Sequence, residues 1–205
     1  MPTMLAGADD ALREQTVATE TLLQGHFLKV RRDTVRLPDG ATATREYVQH
    51  PGAVVIVPLI QDSAAGVCVV LERQWRHPLG RSIVELPAGK IDPGEAPLKC
   101  AQRELREETG YTADEWACAG RLHPLAAYSD ECIELWFARG LTAGARALDP
   151  GEFLEVFTAT PEELLHWCWQ GQVTDAKTLV GAMWLQNHLH GAWPLQWQRA
   201  PQSAP

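Results

Sequence analysis

From residue 28 the chain alternates apolar and polar positions in steps of two. Leu28-Lys29-Val30-Arg31 and Val35-Arg36-Leu37 alternate, Pro38-Asp39-Gly40 supplies turn chemistry, and the alternation resumes over residues 42–48. This pattern predicts an antiparallel hairpin or meander. Ala53-Val54-Val55-Ile56-Val57 has no polar face and predicts a strand covered on both sides, as do residues 66–71 and 82–86. A glycine- and proline-rich loop over 87–94 leads to a helix with Pro97 in its first turn and Gly110 at its end. Further strands are expected at 116–122, 132–138 and 153–157. A short helix opens at Thr160-Pro161-Glu162-Glu163, and a last one runs from about 174 to 189. Residues 1–20, polar and alanine-rich, read as a frayed or weakly helical leader, and 191–205 as a peripheral tail. Strands with one helix inside the series and helices at the end point to an α/β chain, a mixed sheet sandwiched by helices.

Composition narrows the function. The 205 residues, 45% hydrophobic and 21% charged, suffice for an ordinary core in one large domain or a core domain with an N-terminal extension. Lys and Arg number 18 against 26 Asp and Glu, a formal charge of -8, which argues against general nucleic-acid binding. No apolar run is long enough to span a bilayer, and no basic-then-apolar signal precedes the strands. Five cysteines without a CxxC pair suit a reducing compartment, and a cytoplasmic protein is expected. The seven histidines lack zinc-site spacing. Ser129 has no Gly-x-Ser-x-Gly context, so a serine nucleophile is not expected. Trp167, Trp169, Trp184, Trp193 and Trp197 suit core packing or a dimer interface better than base stacking.

On a helix over 97–109, Leu98, Ala101 and Leu105 form one buried stripe, with Lys99, Gln102, Arg103 and Arg106 opposite. Glu104, Glu107 and Glu108 cluster on the flank of that stripe. Like charges three and four residues apart repel, the more so when partly buried. A divalent cation removes the penalty, and an all-carboxylate donor set specifies a hard ion, Mg²⁺ or Mn²⁺. The competing interpretation is an ordinary solvated Glu-rich face.

The flanks decide between the two. The stretch from Gly89 reads Gly, five residues, Glu95, seven residues, Arg103-Glu104-Leu105-Arg106-Glu107-Glu108-Thr109-Gly110-Tyr111. It resembles the Nudix box, whose family members hydrolyse a nucleoside diphosphate linked to another group. The resemblance implies an α/β/α sandwich around a mixed sheet. It implies Glu104, Glu107 and Glu108 as ligands of Mg²⁺ (Mn²⁺ substituting), with the Ala88 carbonyl as a further one. Arg103 would orient the acidic cluster by pairing with Glu95 or Glu107, and Gly89 and Gly94 would let the loop turn sharply. In similar Nudix proteins an acidic loop supplies the general base or another ligand. Here Asp149-Pro150-Gly151-Glu152 stands in that place, with Glu152 favoured over Asp149. The stretch 72–81 carries three arginines to one acid, and Arg76 could grip a phosphate in bidentate fashion. Trp75 beside it is expected to pack rather than stack.

Secondary motifs resemble the ADP-ribose pyrophosphatase branch: Arg73-Gln74-Trp75-Arg76, Glu85-Leu86-Pro87-Ala88-Gly89, Tyr128-Ser129-Asp130-Glu131 and Thr174-Asp175-Ala176-Lys177-Thr178. In that branch Arg76, Glu85 and Ser129 would touch a nucleoside diphosphate sugar, and Glu131 would hydrogen-bond a ribose. Such enzymes are typically homodimers whose N-terminal strands help to build the partner's adenosine pocket. The organisation then expected is a leader with antiparallel strands over 1–50, a Nudix domain over 51–192 and a tail over 193–205. The expected reaction converts ADP-ribose to AMP and ribose 5-phosphate. Branch members often carry Ser-Pro-Gly where this chain has Leu125-Ala126-Ala127, so ADP-glucose and GDP-mannose stay open as alternative substrates. A different class of protein, a module that senses ADP-ribose without cleaving it, fits less well, because the box is intact and there is no basic helix for a helix-turn-helix.

Overall fold

The computed structural model describes residues 9–200, which fall into two compact units. The first holds the chain up to His50 together with Leu125–Glu131; the second holds Pro51–Pro124 and the chain from Cys132 onward.

In the first unit a helical turn α1 (Asp9–Leu12) precedes three antiparallel strands in the order β1-β2-β3: β1 (Gln15–Gln24), β2 (Lys29–Arg36) and β3 (Thr42–Gln49). The hairpin expected from alternation is β2–β3, paired from Lys29 with Gln49 to Arg36 with Thr42. The expectation of a frayed or helical leader needs correction over residues 15–24, which form β1; residues 1–8 lie outside the described residues. Thr16, Val17, Thr19 and Thr21 favour extended backbone. Because every residue of β1 is exposed, no two-residue period marks it in the sequence. Residues 125–131 join this unit through bonds from Val48 N to Tyr128 O (2.9 Å) and from His50 N to Asp130 Oδ1 (2.7 Å).

The second unit is built on β4 (Ala53–Asp62). Its first six residues pair in parallel with β9 (Ile133–Ala143), and Leu59–Asp62 pair antiparallel with β5 (Gly66–Arg76). Among the described residues the sheet runs β10-β5-β4-β9-β8-β11. β6 (Arg81–Glu85) lies on β5, and β7 (Ala88–Lys90) on β4. The remaining strands are β8 (Tyr111–Leu122), β10 (Leu154–Ala159) and β11 (Gln198–Arg199). The peripheral tail is therefore corrected in part: β11 pairs with β8, and Trp197 packs under the Arg139 guanidinium, 4.0 Å from its ring centre.

β4 is apolar on both faces because each face meets its own core. Val54 and Ile56 pack with Cys100, Ala101 and Leu105 of the helix α2 (Pro97–Glu104) and its continuation, and with Trp116 and Trp136. Val55 and Val57 pack with Leu71, Leu86, Phe137, Leu164 and Leu185. The last two come from α3 (Pro161–Trp169) and α4 (Ala176–Leu189). Helices thus cover both faces of a mixed sheet, the α/β sandwich expected from the element order. Thr160 and Glu163 form a reciprocal capping box on α3, and Asp175 caps α4. Among the tryptophans, Trp167, Trp184 and Trp197 pack on the core, whereas Trp169 is exposed. Trp75, expected to pack, is exposed as well, on the outward face of β5.

Candidate active site

The box folds as a strand, a loop and a helix held against one another. β6 leads into Leu86-Pro87, and β7 returns along β4, with Val55 opposite Ala88. The Gly94 backbone is left-handed, φ 81°, as a sharp turn requires. Gly89 serves a different purpose from the one expected. Its φ is ordinary, but a Cβ there would overlap the Glu104 carboxylate, so the glycine makes room for that side chain.

The helix does not continue as a plain α-helix. After Glu104 it widens into a π turn over Leu105–Thr109, closed by left-handed Gly110 and by the Thr109 hydroxyl donating to the Leu105 carbonyl. Such turns concentrate at functional sites. Here it goes with an inward Glu108, 5% exposed, whose Oε2 accepts a 3.0 Å bond from Ala88 N.

Arg103 organises the acidic groups. Its guanidinium donates to both oxygens of Glu95 (2.9 Å each), to Glu104 Oε1 (2.7 Å), to Glu107 Oε2 (3.1 Å) and to the Lys90 carbonyl (3.0 Å). That pairing holds the Glu95 carboxyl down at about 2. Burial pushes Glu104 up, against the pull of Arg103. Glu108 is raised by burial, then by Glu72 and Glu104. Among the described residues no three His, Cys, Asp or Glu side chains are already gathered as a cation cage. Glu104 and Glu107 instead share Arg103 as their counter-charge.

A second charged group lies on β5, β6 and α4. Arg76 Nε and Nη2 donate to the two oxygens of Glu85 at 2.6 and 2.9 Å, and Lys177 pairs with Glu85 and, at 3.1 Å, with Asp175. Glu85 is 1% exposed. Burial acts to raise its carboxyl, but Arg76 and Lys177 together hold it below its ordinary value. Both of its oxygens are therefore engaged within the chain, while Arg76 remains 40% exposed. Sequence reasoning missed Lys177 and Glu72. For Glu72 the signal was a charged residue directly after the buried apolar run Val69-Val70-Leu71; for Lys177 no comparable run stood beside it.

Glu152 and Asp149 close a turn on each other, Glu152 N to Asp149 O at 3.0 Å and Asp149 N to Glu152 Oε2 at 3.2 Å. Glu152 acts electrostatically on Glu72, Glu104 and Glu108. Ser129 and Glu131 belong to the first unit. The Ser129 hydroxyl donates to the Val48 carbonyl (3.3 Å) and accepts from Glu131 N (3.1 Å), and Glu131 lies 3.7 Å from His50 Nε2.

The second unit's donors suit a divalent cation. They are carboxylate oxygens of a hard-ion type, Glu108 and Glu72 are buried and repel one another, and Glu72 Oε2 is buried without a hydrogen-bond partner. Residues 49–179 match the NUDIX domain family, and residues 14–48 match the nucleoside diphosphate sugar hydrolase N-terminal domain. The chain belongs to the NUDIX family. It is 38% identical to the methanol dehydrogenase activator of Bacillus methanolicus, over 84% of this chain and 92% of that one. It is 36% identical to an ADP-ribose pyrophosphatase of Bacillus subtilis (strain 168), over 86% and 94%. A crystal structure of an ADP compounds hydrolase shares the fold, with a TM-score of 0.77 at 20% identity, covering 87% of this chain and 95% of that one.

Proposed function

We propose that the chain is a Mg²⁺-dependent hydrolase of the diphosphate of ADP-ribose, releasing AMP and ribose 5-phosphate, with Mn²⁺ able to replace Mg²⁺. The observation that carries this reading is the pairing of two parts: a partly buried glutamate cluster ordered by Arg103, and an N-terminal unit of the kind found in nucleoside diphosphate sugar hydrolases. The relatives named ADP-ribose pyrophosphatase support the substrate.

Glu104, Glu107, Glu108 and the Ala88 carbonyl would hold the cation. When bound, it neutralises diphosphate charge, polarises the phosphorus and acidifies an attacking water. Glu152 takes the water's proton, its turn leaving one carboxylate oxygen beyond the Asp149 contact. A P–O bond forms to the water oxygen as the bridging P–O bond breaks. Arg103 keeps Glu104 and Glu107 aimed, and Arg76, locked to Glu85, presents its exposed edge to a phosphate. Ser129 and Glu131 are assigned to the sugar end of the substrate. The enzyme works as a cytoplasmic homodimer.

Assay of ADP-ribose, ADP-glucose, GDP-mannose and NADH with Mg²⁺ tests the reading. ADP-ribose is expected to be cleaved fastest, with AMP as product. Faster turnover of ADP-glucose or GDP-mannose moves the substrate to another nucleoside diphosphate sugar. Tight binding of ADP-ribose without AMP release overturns the hydrolase.

A further inference from the structure

The buried acids extend beyond the box. Glu72 sits in mid-β5, opposite Glu85 on β6 and Val156 on β10, and is 1% exposed. Paired residues on neighbouring strands point to the same face, so Glu72 and Glu85 are side by side. Their circumstances differ sharply. Glu85 receives two cations, Arg76 and Lys177, and both are bonded to it. Glu72 Oε2 receives no hydrogen bond at all.

A buried carboxylate oxygen left unpaired is costly, and an inert core position at this point of a strand would hold Val or Leu, as at Val69, Val70 and Leu71 beside it. Arg76 and Lys177, both bonded to Glu85, also act on Glu72 without hydrogen-bonding its Oε2, and the remaining groups that act on it are acids. Glu108 from the π turn is raised by it, and Glu152 from the turn before β10 acts on both. Glu72, Glu108 and Glu152, from three segments far apart in sequence, thus act on one another electrostatically.

Building on the proposal of a divalent-cation hydrolase, we propose that Glu72 is a further oxygen donor of that site, placing its free Oε2 on a divalent cation shared with Glu108. The donors would then come from β5 as well as from the box, tying the ion to the strand that also carries Arg76.

The test uses the full-length protein and Mn²⁺ alone, without substrate, read by calorimetric titration and by the loss of the free-ion electron paramagnetic resonance signal. Glu72→Gln keeps the shape and removes the charge, and Glu72→Met removes both oxygens. Each is expected to weaken Mn²⁺ binding by roughly 10- to 100-fold, the range for a residue that supports a metal. Metal-free melting temperatures at or above the wild type are expected, because an unpaired buried acid is gone. A Glu72→Gln isotherm superposable on the wild type overturns the proposal. So does a fall in metal-free stability in that variant, since it would make Glu72 a stabilising core group. Glu108→Gln separates this failure from that of the underlying reading: if the wild type takes up no Mn²⁺, or Glu108→Gln binds it as the wild type does, the metal site itself is wrong.

Discussion

Arg103 shows how one side chain orders an acidic surface. Bonded to Glu95, Glu104, Glu107 and the Lys90 carbonyl, it fixes the rotamers of three acids that would otherwise repel. The resemblance to the Nudix box implied that Arg103 pairs with Glu95 or Glu107; that the guanidinium engages both, and Glu104 too, depends on the loop folding back, which the motif does not reveal. Glu95 carries a measurable consequence. Its folded carboxyl is held at about 2 against an ordinary 4.5, so it binds fewer protons when folded than unfolded. A depressed acid contributes stability that is full above about 4.5 and is lost as the pH falls toward about 2. Urea unfolding of the wild type and Glu95→Gln from pH 6 to pH 2 should show the wild type ahead at the upper end and the two curves converging at the lower. A gap that persists unchanged at pH 2 would mean that the Arg103 pairing is not its source.

At the level of elements, the sequence disclosed most of what obeys a simple period. The two-sided apolar run of β4, the capped helices α3 and α4 and the β2–β3 hairpin all follow from local chemistry. The π turn stayed hidden, because Leu98, Ala101 and Leu105 fit an α-helix and the widening begins only at the last of them. Its effect is to separate the fates of adjacent glutamates: Glu107 stays partly exposed on Arg103, and Glu108 goes inward to Ala88 N. Lys177 illustrates coupling between elements, since from α4 it reaches the acid that β6 presents to Arg76 on β5. Lys177→Met should destabilise the fold by on the order of 2 kcal/mol, less than a fully orphaned buried charge because Arg76 keeps both its bonds. Chemical denaturation measures this directly, and a loss within error of zero would show that Arg76 alone satisfies Glu85.

For the molecule as a whole, the segment Leu125–Glu131 interrupts the second unit and belongs with the N-terminal strands. Nothing in its composition discloses this; it follows from hydrogen bonds to Val48 and His50, 80 to 82 positions away in the chain. β1 is an edge strand exposed along its full length, with Val17, Leu22 and Leu23 open to solvent. Such edges invite pairing with another strand. Light scattering should give twice the chain mass at micromolar concentration, and Val17→Lys with Leu23→Lys should shift it toward the monomer. A wild type that is monomeric there removes the homodimer from the proposal. The double-faced β4 has a consequence for how this chain can vary. One residue inserted between Ala53 and Ile60 would exchange the side chains of the two hydrophobic layers at once, whereas the Asp62–Gly66 bend, exposed and followed by a fresh strand, can lengthen without disturbing either. Changes of length in this half of the protein are therefore tolerated at its rims and not along its central strand.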